Sequence, residues 1–130
     1  FGPRMGKSHV IPELLSKLNN KKKKFILKNG HHQRTFCYID DAVTMTNSLV
    51  MNVNNRIVNV GKQEESSIED VAKCILDVMG VDPTLLEIRP GPIGSAVRRC
   101  PDTRQVRELT GFKNYTSLRA GIEKTVEAYW

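Results

Sequence analysis

One amphipathic stretch near the middle of the chain constrains the fold more than any other segment. Between residues 66 and 80, apolar side chains recur at the spacing of a helix with one buried face. The stripe consists of Ile68, Val71, Ala72, Ile75 and Met79. Ser66 and Glu69 stand at the spacing of a capping box, and Gly80 stands where a C-terminal cap belongs. The sequence therefore predicts a helix that must pack against a core.

The remaining segments alternate between helical and strand-like patterns. Helical spacing predicts four more helices, over residues 9–19, 40–53, 103–110 and 117–129. Short apolar runs predict strands over residues 25–27, 34–39, 56–61 and 85–89. We expect Asp40 and Asp41 to cap the helix that follows them. The side chains expected on its buried face are Ala42, Thr46, Leu49, Val50 and Val53. About five helices and mixed short strands place the chain in the α/β class, and the few scattered strands do not suggest a complete sheet.

Positive charge is concentrated at the start of the chain. The net charge is +6, but residues 1–34 carry nine lysines and arginines against one acid, while residues 35–130 carry eleven against thirteen. This pattern is typical of a basic module that binds nucleic acid or an acidic partner, although the four lysines at residues 21–24 equally suit a solvated turn. Only 6% of the residues are aromatic, which disfavours nucleic acid because base stacking uses such side chains. No apolar run approaches the length that spans a membrane.

Most catalytic and metal-binding motifs are absent. The three cysteines are widely spaced, which predicts neither a disulfide framework nor a zinc site and favours a reducing, cytoplasmic location. The sequence contains no glycine-rich dinucleotide turn, phosphate loop, nucleophile elbow or Tyr-x-x-x-Lys pair. Adjacent histidines on a strand point to opposite faces, so we expect His31 and His32 to be solvated turn residues. Arginines near loop and strand ends remain as candidates, because they suit bidentate binding of a phosphate.

A series of short motifs carries more information than any one of them. In chain order it includes Phe-Gly-Pro-Arg at 1–4, Arg-Thr-Phe-Cys-Tyr-Ile-Asp-Asp at 34–41, Val-Asn-Val-Gly at 58–61, Arg-Cys-Pro-Asp at 99–102 and Leu-Thr-Gly-Phe at 109–112. The series resembles the C-terminal half of the NAD-dependent nucleotide-sugar epimerases and dehydratases, the extended short-chain dehydrogenases. The resemblance covers essentially all 130 residues. It implies one substrate-binding domain, residues 1–130, that is a fragment of a longer enzyme. The N-terminal Rossmann half, with its NAD turn and catalytic Tyr and Lys, would be missing.

The resemblance also implies roles for particular residues. Arg34 and Arg99 match arginines that contact the diphosphate of the nucleotide sugar, and Asp102 matches an aspartate that holds a ribose hydroxyl. Leu27 lies in the strand that would contact the base. The chain departs from the family between residues 28 and 34, where Lys28 replaces a glycine and the glutamine is shifted by one.

Two further positions complete the implied site. His9 takes the place of an asparagine that contacts substrate in many relatives, and Arg4 resembles an arginine near the hinge between domains. The resemblance implies no catalytic, cofactor-binding or metal-binding residue in this chain. NAD or NADP would bind in the parent enzyme and not to this chain alone. The expected partners are a nucleotide diphosphate sugar, the Rossmann half of the same enzyme and a second copy in a homodimer; we expect no membrane partner, and nucleic acid is the alternative hypothesis.

Overall fold

A computed structural model describes residues 1–18 and 24–129 of the 130-residue chain. Within these ranges the chain forms five helices, which are α1 Val10–Lys17, α2 Ile39–Asn52, α3 Ile68–Val78, α4 Arg104–Thr110 and α5 Leu118–Tyr129. It also forms four short strands, β1 Phe25–Lys28, β2 Gln33–Thr35, β3 Glu65–Ser67 and β4 Leu86–Arg89. One turn of 3-10 helix, Pro83–Leu85, precedes β4. The predicted α/β class is confirmed. None of the helices in the described part is long and apolar enough to cross a membrane.

The strands form two separate pairs. β1 and β4 are parallel, with Leu27 opposite Ile88. β2 and β3 are antiparallel, with Arg34 opposite Ser66. An isolated parallel bridge joins Gln33 of β2 to Arg98, so the segment around Arg98 lies along the edge of β2 that β3 leaves free.

The core lies between α1, α3, α5 and β1. Its buried apolar residues are Ile11, Leu14, Leu15, Leu18, Phe25, Leu27, Ile68, Val71, Ala72, Ile75, Leu76, Val81 and Ile122. Burial of each large side chain of this kind stabilises the fold by about 1.5–3 kcal/mol relative to exposure. The apolar stripe predicted for α3 is largely confirmed, with Leu76 fully buried and Met79 only partly buried.

The ends of α3 show where local sequence signals succeed and where they shift. The N-cap is Ser67, whose hydroxyl accepts a hydrogen bond from the backbone N–H of Asp70 at 3.0 Å and donates one to its carboxylate at 2.6 Å. The capping box predicted at Ser66 and Glu69 is therefore one residue too early, because Ser66 still pairs within β3. The cap predicted at Gly80 is confirmed: Gly80 adopts φ +61°, and its N–H and that of Val81 bond the last turn.

α2 differs more from expectation. It begins at Ile39 after Tyr38, which makes no side-chain cap, so Asp40 and Asp41 lie in the first turn and do not cap the helix. The predicted apolar face is wrong as well: the buried residues are Asp41 and Met45, while Val50 is 72% exposed. The reason is that the carboxylate of Asp41 is needed inside the fold, where it accepts two hydrogen bonds from Thr116.

The strand predicted over residues 56–61 is wrong. This segment is irregular, and two side-chain hydrogen bonds join it to other parts of the fold. The Tyr115 hydroxyl donates to the Gly61 carbonyl at 3.2 Å, and the amide of Asn59, within the segment, donates to the Asp102 carbonyl at 3.2 Å. The strand predicted over residues 34–39 is shorter and shifted, since β2 ends at Thr35 where its pairing with β3 ends. The predicted solvated turn at residues 21–24 lies outside the described residues except for Lys24, which is exposed.

Candidate functional site

A cavity of about 720 Å³ opens between α1, β1 and the turn that follows β1. The charged side chains in its lining are Glu13, Lys17, Lys24, Lys28 and Arg34. Glu13 forms an ion pair with Lys17 one helical turn away, so the acid in the lining is already neutralised. The remaining charges are positive, which favours an anionic ligand.

β1 supplies the apolar part of the cavity wall. Its residues alternate, with Phe25 and Leu27 buried and Ile26 and Lys28 exposed, as expected for a strand whose two faces differ. Leu27 is 4% exposed and lines the cavity. The structure therefore places this predicted site residue in the cavity lining, which also includes Lys28.

Arg34 is held in the cavity lining by backbone carbonyl groups. Its guanidinium donates to the carbonyl oxygens of Gln33 at 2.7 Å, Ala96 at 2.8 Å and Val97 at 3.3 Å. The pKa of Arg34 is lowered from its ordinary value, first by partial burial and second by the charge of Arg99. Because these carbonyl groups carry no net charge, they do not neutralise the positive charge of Arg34, and that charge can attract an anionic ligand.

Arg99 lies beside Arg34 because the chain around it runs parallel to β2. The N–H of Arg99 donates to the Gln33 carbonyl at 3.1 Å, and the Gln33 N–H donates to the Val97 carbonyl at 2.8 Å. Bridged residues share a face of a sheet, so Gln33 and Arg98 point one way while Arg34 and Arg99 point the other. Arg99 is exposed, and within residues 1–18 and 24–129 its guanidinium has no acidic partner. Two like charges thus stand together without a carboxylate between them.

Asp102 follows Arg99 closely in the chain but is engaged elsewhere. Its carboxylate accepts hydrogen bonds from the Arg104 guanidinium at 2.6–3.1 Å and from the Arg104 backbone N–H at 3.0 Å. These bonds lower the pKa of Asp102 to about 2. Asp102 is exposed and does not line the cavity.

The structure does not bring His9 and Arg4 into the cavity lining. His9 is the exposed N-cap residue of α1 and makes no side-chain cap, and it directly precedes Val10, which does line the cavity. Arg4 is exposed on a turn near the start of the chain and has a left-handed φ of 65°.

His32 is a cavity residue that sequence reasoning missed. It is 7% exposed and lines the cavity, so the expectation of a solvated turn is wrong for it. Burial lowers the pKa of His32, followed by the charges of His31 and Arg34. The sequence feature that could have indicated this burial is the Asn-Gly pair at residues 29–30, which favours a tight turn. In that turn the His32 N–H donates to the Asn29 carbonyl at 3.0 Å, and the His32 side chain is buried.

Asn29, which lines the cavity, also joins the turn after β1 to the loop after β4. Its side-chain oxygen accepts a hydrogen bond from the N–H of Gly91, 62 residues later, at 2.7 Å. A Cβ at Gly91 would stand 2.5 Å from the Asn29 amide nitrogen, so a larger residue there would displace the Asn29 side chain. This contact places the loop after β4, including Ser95 in the lining, over the cavity.

Two other features of the described part bear on function. Residues 1–18 and 24–129 contain no group of three side chains that could hold a metal ion. A second cavity of about 540 Å³ lies at the end of α4, between Arg104, Arg107, Phe112 and Tyr115, and it contains none of the six predicted site residues.

Comparisons with known proteins agree with this architecture. Residues 1–61 match the model of the NAD dependent epimerase/dehydratase family. The UDP-N-acetyl-alpha-D-glucosaminuronate decarboxylase of Bacillus cytotoxicus is 26% identical over 97% of this chain and 40% of its own length. UDP-glucuronic acid decarboxylase 1 of Xenopus tropicalis is 28% identical over 99% of the chain and 31% of its own length.

A solved structure extends the agreement to the fold. The UDP-glucose 4-epimerase of Thermotoga maritima, solved with UDP-glucose, superposes with a TM-score of 0.85 at 22% identity, over 99% of this chain and 42% of that one. The chain therefore spans less than half the length of these relatives. The chain is therefore similar over residues 1–61 to the NAD dependent epimerase/dehydratase family, and it shares the α/β fold of the solved structure.

Proposed function

We propose that residues 1–130 form the nucleotide-sugar binding portion of an NAD-dependent epimerase, dehydratase or decarboxylase. The observation that carries the proposal is the pairing of Arg34 and Arg99 on one face beside the cavity. Two guanidinium groups held together without a carboxylate repel each other, and a diphosphate relieves that repulsion while it accepts their hydrogen bonds.

The cavity suits the rest of such a ligand. Its volume of about 720 Å³ lies in the range of small-molecule sites, roughly 300–1,000 Å³. We place the base against Leu27 and the backbone of β1, and the diphosphate at Arg34 and Arg99. Lys28 and Lys24 add positive charge to the cavity lining.

The proposal assigns a substrate contact to each of the three remaining predicted residues, Asp102, His9 and Arg4. Asp102 has a pKa of about 2 and is ionised at neutral pH. To accept a hydrogen bond from a ribose hydroxyl, its carboxylate must either bind Arg104 and the hydroxyl at once or give up its ion pair with Arg104. His9, at the start of α1, is proposed to donate to the substrate from the cavity rim. Arg4 is proposed to contact the substrate near the junction with the Rossmann half.

We assign NAD or NADP to the parent enzyme and not to the residues of this chain. A dinucleotide cradle needs a glycine-rich turn between a strand and the first turn of a helix. In the described residues, the glycine turn after β1 leads into β2, and the glycine loop after β4 leads into the irregular segment before Arg98. These residues do not fit the cofactor, so we derive no redox step from them and expect no turnover of a nucleotide sugar with NAD by the 130-residue chain.

The proposal also specifies partners. Val43, Val50 and Met51 leave an apolar face of α2 exposed, and exposed apolar faces of this kind favour association. We propose that a Rossmann half of the same enzyme, or a second copy of the chain, covers this face. A cytoplasmic location is proposed from the three cysteines, all of which are free thiols.

Calorimetric titration of the chain with UDP, dTDP, GDP and CDP tests the proposal. We expect saturable binding of one nucleotide, weakened at least tenfold in Arg99→Ala, because a charged hydrogen bond contributes about 1.5–3 kcal/mol. Arg56→Ala is the matched control, since Arg56 is also an exposed arginine but does not lie in the segment that is bridged to β2 beside Arg34. Equal losses in both variants, or no binding of any nucleotide, would contradict the proposal.

Salt dependence distinguishes this function from the alternative of a basic nucleic-acid module. A diphosphate that meets two arginines should lose affinity only gently as salt rises, whereas a polyanion that contacts many lysines loses it steeply. Tight binding of single-stranded RNA or DNA with a steep salt dependence, together with no nucleotide binding, would favour the alternative.

A further inference from the structure

The face of β2 opposite Arg34 carries an ion pair that spans three segments of chain. Arg98 donates from Nε to Oε1 of Glu65 and from Nη2 to Oε2, both at 2.8 Å. Glu65 lies on β3, on one side of β2, and Arg98 lies in the bridged segment on the other side. The bidentate pair therefore reaches across Gln33 and Thr35 of β2.

Few other contacts hold the segment of Arg98 in place. Two backbone hydrogen bonds join it to Gln33, and the Cys100 thiol lies 3.6 Å from the Gln63 carbonyl. The preceding loop, residues 92–97, is exposed throughout and has no regular structure. The side-chain contacts next to Arg99 are the Arg34 guanidinium, which donates to the Ala96 and Val97 carbonyls, the Cys100 thiol and the ion pair of Arg98. Of these three, the Arg98–Glu65 pair is the one that joins two charged side chains.

We propose that the Arg98–Glu65 pair is a positioning device that sets Arg99 beside Arg34 for binding a diphosphate. This inference rests on the proposed function, since Arg99 is taken as a ligand contact. Because side chains alternate along an extended segment, fixing Arg98 on one face of β2 fixes Arg99 on the other. A bidentate arginine–carboxylate contact gives this orientation more geometric precision than a single hydrogen bond does.

The inference and simple electrostatics predict opposite effects of removing the Glu65 charge on the affinity for an anion. Removing the negative charge of Glu65 near an anion site should strengthen anion binding if charge alone mattered. If Glu65 instead orders Arg99 through Arg98, Glu65→Gln weakens binding. We expect about a fivefold loss, which corresponds to about 1 kcal/mol and is the upper end for an exposed ion pair.

Titrations with UDP and with inorganic pyrophosphate test the inference. Glu65→Gln and Arg98→Gln should each weaken binding about fivefold, and the double variant should be no weaker than either one. Glu64→Gln is the matched control, because it removes the same charge from the preceding residue, which pairs with Lys62 and not with Arg98. In an Arg99→Ala background, Arg98→Gln should have no further effect. Unchanged or tighter binding by Glu65→Gln, or a further loss in the Arg99→Ala background, would overturn the inference.

Amide hydrogen exchange gives a second readout that needs no ligand. The Arg99 N–H is bonded to the Gln33 carbonyl, so Glu65→Gln should speed its exchange about fivefold while Glu64→Gln leaves it unchanged. If the wild-type chain binds neither UDP nor pyrophosphate, the proposed function fails and the exchange experiment still decides the positioning role. Identical exchange at Arg99 in Glu65→Gln and the wild type would refute that role.

Discussion

Replacing Asp41 tests whether a buried carboxylate joins α2 to the segment that precedes α5. Asp41 is 6% exposed, and its two oxygens accept hydrogen bonds from the backbone N–H of Thr116 at 2.8 Å and from its hydroxyl at 2.9 Å. Hydrogen bonds to a charged group contribute about 1.5–3 kcal/mol each, and a buried N–H left without an acceptor adds to the loss. We therefore expect Asp41→Ala to lower the free energy of unfolding by about 3–4 kcal/mol.

Asp40 provides the control for this measurement. It lies in the same first turn of α2 but is exposed, so Asp40→Ala loses only the favourable interaction of its charge with the helix N-terminus, about 0.3–1 kcal/mol. In Asp41→Asn, the amide oxygen can still accept from the Thr116 N–H while the amide nitrogen donates to the Thr116 hydroxyl oxygen, so the variant loses the charge and not the two hydrogen bonds. We expect an intermediate loss of about 2 kcal/mol. Urea unfolding followed by circular dichroism measures all three. Equal losses in Asp41→Ala and Asp40→Ala would refute the reasoning.

Three further predictions concern single side chains. Ser67→Ala should cost about 1 kcal/mol of unfolding free energy through loss of the α3 cap, and Ser66→Ala less than half of that in the same urea assay. In Arg104→Gln, NMR should show the pKa of Asp102 rising from about 2 toward its ordinary 3.8; an unchanged pKa would exclude Arg104 as the cause. Burial holds the pKa of His32 below its ordinary 6.5, so the unfolded state takes up protons first and stability should fall as pH drops below 6.5. His32→Gln should flatten that part of the stability profile.

Local signals predicted the helices well because their ends are determined within a few residues. The stripe of α3 and the cap at Gly80 were confirmed, since both depend on side chains one or two turns apart. The start of α3 was misplaced by one residue because Ser66 belongs to β3, and strand pairing is a long-range event. The same reason explains residues 56–61, where hydrogen bonds from Tyr115 and Asn59 replace a strand partner.

The arrangement of the candidate site was less accessible from the residues alone. Arg34 and Arg99 meet through the bridge between Gln33 and Arg98, and no periodicity in the sequence indicates that bridge. Their pairing was suggested by family resemblance, and their adjacency is a property of the fold. The hydrogen bond from the Gly91 N–H to the Asn29 side chain is likewise a long-range contact that the sequence pattern does not indicate. The ion pair of Asp102 with Arg104 was missed although the two are near neighbours, because Asp102 was assigned to a ligand.

The central claim is that Arg34, Arg99 and the β1 wall form one diphosphate-binding site. Titration of the isotope-labelled chain with UDP, followed by amide NMR shifts, tests it most directly because the method reports where the ligand lies. We expect the largest amide shift changes at Leu27, Arg34 and Arg99, and we expect them to disappear in Arg99→Ala. Shifts centred on the second cavity, around Arg107 and Phe112, or shifts that persist in Arg99→Ala, would contradict it.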